Sequence, residues 1–302
     1  MSKDLPFVSI GISFFNAEKS LLNAVRSVFI QTHKNWELIL LDDGSTDESL
    51  NIAKSIDDPR VRVYSDGKNK KLAARLNQII TLSKYDFIAR MDADDLMAPD
   101  RIEKQLKVLL ENKDIDLVST GVLSLNDDNE PVGIRCVEKE HSITAKNLLY
   151  GQSGIVHASV IARKSWYKRN FYREDYPIAE DKELWVRAYS NSDLKIAFID
   201  QPLYFYREDG SISKDKLFLA YKQSRKVTIE SAKQNFPFFL RVNTYLILCF
   251  KTTLSLLLTV FGRLDLLRKR RVKEKLYSAQ HNKYTVMINK ITNLNLPVKI
   301  DK

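Results

Sequence analysis

Cysteine is scarce in this 302-residue chain: Cys136 and Cys249 stand far apart and belong to no CxxC or Cys/His grouping. That excludes a disulfide framework and a structural zinc site, and it fits a reducing compartment. The four histidines show no metal-ligand spacing. No internal repeat and no low-complexity segment is present, and a 44% hydrophobic content is enough to bury a sizeable core, so a disordered chain is excluded. Acid is the minority charge. The 48 Lys and Arg against 38 Asp and Glu leave a formal net charge of +10, which favours polyanions, phosphate-bearing substrates or an anionic membrane surface. The N-terminal run "FVSIGISFF" has the length of a secretory apolar segment. Lys3 and Asp4 cancel upstream of it and no small-residue cleavage site follows, so it is expected to be a first buried strand.

What is present up to about residue 120 is an alternation of strand-like and helix-like segments. "FVSIGIS", "WELILLDD", "RVRVYS", "YDFIARMD" and "DIDLVST" read as strands. Between them "AEKSLLNAVRSVFIQ", "TDESLNIAKSI", "KLAARLNQIITLS" and "PDRIEKQLKVLLEN" have helical spacing. The fold class that follows is α/β, a mostly parallel sheet with helices on both faces. Ligands of such sheets sit outside the carboxyl ends of the strands. "SFFN", "DDGSTD" and "MDADD" follow the first, second and fourth strands, so all three are expected along one edge. From 121 to about 215 the pattern is less regular, with a helix across "EDKELWVRAYS".

Each polar motif has a plain structural reading beside a functional one. In "DDGSTD", Gly44 turns the chain and Ser45 or Thr46 caps the next helix; alternatively a strand-end carboxylate accepts hydrogen bonds from a base or ribose. An EF-hand is excluded, because the oxygen ligands at alternate positions and the closing glutamate are missing. In "MDADD", Asp92 and Asp94 converge if the chain bends after Met91, and converging carboxylates repel unless a cation sits between them. Magnesium or manganese suits such a pair, with diphosphate oxygens as further ligands. The plain alternative is a solvated loop with Asp95 or Asp100 capping a helix. Glu180 and Asp181 either complement a helix N-terminus or supply a base that takes a proton from an attacking hydroxyl. His157, in an apolar run, reads as a core or rim histidine held by a backbone partner, and Arg207 as a loop arginine or a phosphate ligand.

Taken in order, "SFFNAEKSLLNAVRSVFIQT", "WELILLDDGSTDES", "FIARMDADDLMAPDRIEKQ" and "AEDKELWVRAY" resemble the family two glycosyltransferases, inverting enzymes of the GT-A fold. The likeness covers about residues 6 to 215. It implies a GT-A Rossmann-like sheet and a nucleoside diphosphate sugar donor, with UDP the expected nucleotide, and a divalent cation, manganese or magnesium. It also implies roles: Ser13 and Phe15 line the nucleotide site, Asp43 contacts the base, Asp92 lies near the ribose, Asp94 binds the metal, and Asp181 is the catalytic base with Glu180 beside it. Three departures stand out. The usual proline of the first motif is replaced by Gly11-Ile12-Ser13. Lys71 occupies a position where glycine is common, which turns Lys70 or Lys71 toward the diphosphate or merely toward solvent. No QxxRW motif is found, so single addition of a hexosyl or N-acetylhexosaminyl group is expected.

The division implied is residues 1–215 as the transferase domain, with 1–120 binding the nucleotide sugar and 121–215 carrying the acceptor side and the base. Residues 216–302 form a helical basic region. There, "FPFFLRVNTYLILCFKTTLSLLLTVFG" is apolar except for polar positions such as Arg241, Thr244, Thr252, Ser255 and Thr259, whose spacing gathers them near one helical face. Lys251 near its centre disfavours a full span, so amphipathic helices lying in the membrane interface are expected, with "RKRRVKEK" drawn to anionic headgroups. The expected acceptor is a glycan or lipid-linked glycan of cell-surface polysaccharide synthesis, at the cytoplasmic face of the cell membrane. Two rivals were weighed. A sugar-nucleotide pyrophosphorylase needs a Gly-rich basic loop after its first strand, absent from "SFFNAEKS". A non-catalytic nucleotide-sugar binder fits the charge, but nucleic acid does not, because the cations gather at the C-terminal end.

Overall fold

The computed structural model describes residues 5–208, 214–261 and 275–299. Four strands open the chain: β1 (Val8–Phe14), β2 (Trp36–Asp42), β3 (Val61–Tyr64) and β4 (Phe87–Asp92). They lie side by side in the order β3-β2-β1-β4, all parallel. Helices α1 (Leu21–Phe29), α2 (Ser49–Ser55) and α3 (Lys71–Leu82) make the crossovers. Alternation along β2 shows why the strands are apolar throughout: Leu38 and Leu40 point into one core, Ile39 and Leu41 into the other. The first core takes Leu21, Val25 and Val28 from α1, an i, i+4, i+7 stripe. The second takes Ile79 and Ile80 of α3, together with Trp166 and Trp185. A Cβ on Gly11 would stand 2.3 Å from Ile79 Cγ2, so α3 lies closer to β1 than any larger residue permits.

Beyond β4 the sheet changes character. β5 (Leu96–Met97), α4 (Arg101–Glu111), β6 (Leu117–Leu125) and β7 (Pro131–Arg135) follow. Then come α5 (Ala145–Tyr150), a 3₁₀ turn at His157–Ser159, β8 (Ile161–Arg163), α6 (Lys164–Arg169), α7 (Glu180–Ser190) and β9 (Ile196–Arg207). The short β8 wedges between β4 and β6, antiparallel to both. β6 runs parallel to β9, while β5 and β7 pair antiparallel with β9 and β6. The whole is a mixed α/β architecture: the first four strands are parallel as expected, and the antiparallel pairs all belong to the second half.

Among the described residues three helices follow: α8 (Lys214–Glu230), α9 (Phe238–Val260) and α10 (Ser278–Thr292). α10 shares a third core with the sheet, packing Tyr284, Ile288 and Ile291 against Leu123, Leu125 and Phe205. The segment after it is pinned to the first half, with Arg26 Nε on Leu294 O, Asp57 N on Pro297 O and Lys299 N on Ser55 O. Most of the basic run "RKRRVKEK" falls in 262–274, outside the described residues.

Candidate active site

The carboxyl ends of β1, β2 and β4 stand level, with Phe14 opposite Asp42 and Ser13 opposite Asp92. The three polar motifs therefore meet on one edge. The first two are knitted to each other, and Asp47 Oδ1 also accepts from Ser49 N at the start of α2 (3.0 Å). Asn16 Oδ1 accepts from Thr46 N (2.8 Å), Ser45 Oγ from Asn16 N (3.1 Å), and Asp47 Oδ2 from Glu18 N (3.1 Å). This corrects the expected capping role of Ser45 or Thr46: Glu48 occupies the N-cap of α2 and makes no side-chain cap bond, nor does Asp100 at α4. The bonds that could cap a helix hold two loops together, because the loops must converge around a ligand region. Gly44, at φ +79°, has Lys68 C within 2.9 Å of where a Cβ would stand, so this turn requires glycine.

A cleft of about 720 Å³ opens above this edge. Ser13, Phe15, Asp92 and Asp94 line it, together with the cations Lys19, Arg90 and Arg207. Asp43 and Lys71 stand outside its wall. Asp43 is buried and accepts from Lys70 N (2.7 Å), Lys71 N (3.2 Å) and Arg75 Nε (2.8 Å). Arg75 is itself fully buried and also bonds Asp66 (2.6 Å), so the pair fixes the start of α3 against β2. Lys71 is exposed and sits at φ +70°, a conformation glycine adopts without strain; the departure from glycine read in the sequence has left the backbone turn intact. Lys70 pairs with Asp66 (2.7 Å) rather than with the cleft.

One carboxylate oxygen from each of Asp92, Asp94 and Asp95 lies within 4.8 Å of the others. Asp94 is exposed, Asp92 half-buried and Asp95 buried. Asp95 Oδ1 accepts from Arg207 N (2.7 Å), whereas its buried Oδ2 has no hydrogen-bond partner. Burial, with Asp92 and Asp94 adding repulsion, pushes the Asp95 carboxyl well above the usual range. Hard oxygen donors this close, one of them buried and unsatisfied, fit a divalent cation. Arg207 braces the same loop: its guanidinium donates to Asp94 O (3.1 Å), Asn126 O (3.1 Å) and Asp127 O (2.8 Å). The loop-arginine reading was therefore too modest.

Arg90 was missed altogether. It is buried in β4, lines the cleft, and donates to Asp92 Oδ1 at 2.6 Å. Burial opposes its charge, but Asp92 and Glu180 outweigh burial, so the guanidinium is held firmly cationic. A charge inside "FIARMD", two residues before an acid cluster, was the signal available in the sequence.

Asp181 and Lys182 line a second cavity of about 270 Å³, walled by Leu148, Trp185 and, from α8, Ala220 and Ser224. Burial pushes the Asp181 carboxyl up, partly offset by the Lys182 amide at 2.6 Å. Glu180, also buried, is pushed up to about 7 by burial and by Asp181. Lys182 is lowered to about 8 by burial. His157 bonds the Tyr172 hydroxyl (2.7 Å) in place of the expected backbone partner, and burial with Arg90 nearby holds it neutral. The acid cluster and Asp181 thus line separate cavities, and the charge of Arg90, which lines the first, also acts on Glu180 and Asp181.

Fold and cleft together define a GT-A type glycosyltransferase. The chain belongs to glycosyl transferase family 2, whose model matches residues 9–171. It is 31% identical over 238 residues to the putative glycosyltransferase EpsE of Bacillus subtilis, across 74% of this chain and 84% of that one. Among solved structures it resembles TarS 1–349 of S. aureus in complex with UDP (TM-score 0.59, 17% identity, 79% of this chain and 69% of that one). It also resembles the mannosyltransferase PcManGT of Pyrobaculum calidifontis in complex with GDP-Man and Mn2+ (TM-score 0.57, 13% identity, 94% and 84%). At these identities the solved structures bear on the fold alone.

Proposed function

We propose that the chain is an inverting, single-addition transferase that moves a hexosyl or N-acetylhexosaminyl group from a UDP-sugar to a hydroxyl of a glycan or lipid-linked glycan. The observation that carries the reading is the acid cluster in a cation-lined cleft. Residues 1–120 form the donor half and 121–215 the acceptor half. Ser13 and Phe15 border the nucleotide, the Asp43–Arg75 pair fixes the base end, and Lys71 stays at the turn beneath it. Asp92 and Asp94 would hold the manganese or magnesium ion, with Asp95 behind them. The bound cation supplies charge neutralisation for the diphosphate leaving group.

The chain's own groups do the rest. Arg90 and Arg207 offer fixed positive charge in the cleft, set before the substrate arrives, so little reorganisation is needed when charge develops. Asp181 accepts the proton of the acceptor hydroxyl; that oxygen forms a bond to the anomeric carbon while the bond to the diphosphate oxygen breaks, inverting configuration. Its raised basicity suits the task, since a carboxylate of ordinary pKa is a weak base at neutral pH. Glu180, raised to about 7 by burial and by Asp181, sits beside it and shares its desolvated surroundings. Work on cell-surface polysaccharide at the cytoplasmic face of the membrane, with the region after 216 in peripheral membrane contact, accords with the chain's charge and with the apolar outer side of α9.

The test is nucleoside diphosphate release from a panel of sugar nucleotides, with and without manganese or magnesium, using a membrane extract as acceptor source. Metal-dependent release from one donor is expected, abolished in Asp94→Ala. Asp181→Asn should cut turnover roughly a hundredfold to ten-thousandfold while donor affinity stays unchanged. Near-normal turnover in that variant would sink the assignment of the base.

A further inference from the structure

α9 turns polar side chains toward the protein and apolar ones away from it. Thr244 and Ser255 are buried beside Leu248, and Thr252 Oγ1 accepts from Arg225 of α8 at 2.5 Å. The hydroxyls of Thr244, Thr252, Ser255 and Thr259 bond back to the carbonyls four residues earlier, so the helix satisfies them itself. The outer stripe is apolar and open, with Phe239 84%, Leu246 59% and Phe250 68% exposed, and Leu257 on the same side. Ile229 of α8 adds to it, and an apolar groove of about 250 Å³ between Ile229, Phe238, Val242 and Leu246 opens nearby. A contiguous apolar surface of this kind marks an interaction site.

Charge decides the occupant. Residues 263–275, directly after α9, carry seven Lys and Arg against two acids. A basic run that follows an apolar-faced helix in the sequence is the pattern of attachment to an anionic lipid surface. The stretch Phe238–Thr259 is long and apolar enough to cross a bilayer, but its inner stripe is committed to α8. That helix carries Lys214, Asp215, Lys216, Lys222, Arg225, Lys226 and Glu230, which crossing would drag into hydrocarbon. Lying flat avoids this and lets Lys251, exposed on α9, reach the headgroups.

We propose that α9, by its outer face, lies in the plane of an anionic bilayer surface without crossing it, and that α8 thereby holds the Asp181 cavity at the lipid boundary. The second clause rests on the acceptor assignment above; the first stands without it. Because Ala220 and Ser224 of α8 wall that cavity, an acceptor anchored in the lipid need only rise past one helix to reach Asp181.

The intact protein is sedimented with vesicles of phosphatidylcholine alone or with phosphatidylglycerol, then washed with alkaline carbonate. Binding to the anionic vesicles and release by carbonate are expected. The triple variant Phe239→Glu, Leu246→Glu, Phe250→Glu, altered only at exposed positions, should lose binding about a hundredfold or more with melting and donor binding unchanged. Wild-type binding by that variant, or retention through the carbonate wash, would overturn the proposal. So would a vesicle-independent dimer that the variant dissociates, because the face would then belong to a second copy. Vesicle binding without transfer would leave this proposal standing and refute the acceptor reading instead.

Discussion

Glu180 offers a test of the site's electrostatics that needs no substrate. Its carboxyl is buried beside Asp181 and its pKa rises from 4.5 to about 7. The folded protein therefore binds a proton more tightly than the unfolded chain, and stability must fall as pH rises from about 4.5 to about 7. By linkage the cost is about 1 kcal/mol at pH 5 and about 3 kcal/mol at pH 8. Glu180→Gln removes the ionisation and keeps the shape. Its advantage over the wild type should thus grow by about 2 kcal/mol between those pH values, near 4–8 °C in melting temperature for a chain of this size. The assay is a thermal melt of both proteins at pH 5 and pH 8 in chelator. An equal gain at both pH values, or a loss at pH 8, would refute the assignment of a strained carboxylate. The wild-type chain keeps a group that costs it stability at neutral pH, the expected signature of a functional residue.

Lys71→Gly should stabilise by roughly 1 kcal/mol, because φ +70° suits glycine and strains lysine; a melting temperature equal to or below wild type would contradict this. Arg207→Met removes the guanidinium bonds to Asp94 O, Asn126 O and Asp127 O, so manganese affinity measured by calorimetric titration should fall about tenfold to a hundredfold with little change in melting. Unchanged affinity would mean that the loop holds its shape alone.

Much of this was legible because periodicity reports burial. "WELILLD" carries an unbroken apolar run from Leu38 to Leu41 since both faces of β2 are covered, and "EDKELWVRAYS" marks α7 to the residue. The acid cluster announced itself, because three carboxylates after a buried strand demand a partner. Strand direction was not legible beyond β4. β8 has three residues, too few to show a period, and nothing in "VIAR" tells which neighbour it will pair or in which sense. Arg75 and Arg90 were passed over for a related reason. Each occupies a core position: Arg75 meets Asp43 and Asp66 only through tertiary structure, and Arg90, though paired with Asp92 two residues on, is buried only in the folded sheet. Asp43 likewise looked free to meet a ligand until the start of α3 folded onto it.

The pinning of residues 294–299 to Arg26, Ser55 and Asp57 changes how the α8–α9 pair behaves mechanically. The chain leaves the sheet at Arg207 and comes back to the opposite half, so the helical pair is a loop with both feet on the catalytic body rather than a tail on one tether. A tail would let the enzyme tumble beneath the surface it touches and meet a partner at whatever angle diffusion offers. On the bilayer contact proposed above, two feet would remove that freedom and turn a search through three dimensions into a slide across two, with the cleft at a set angle to the plane.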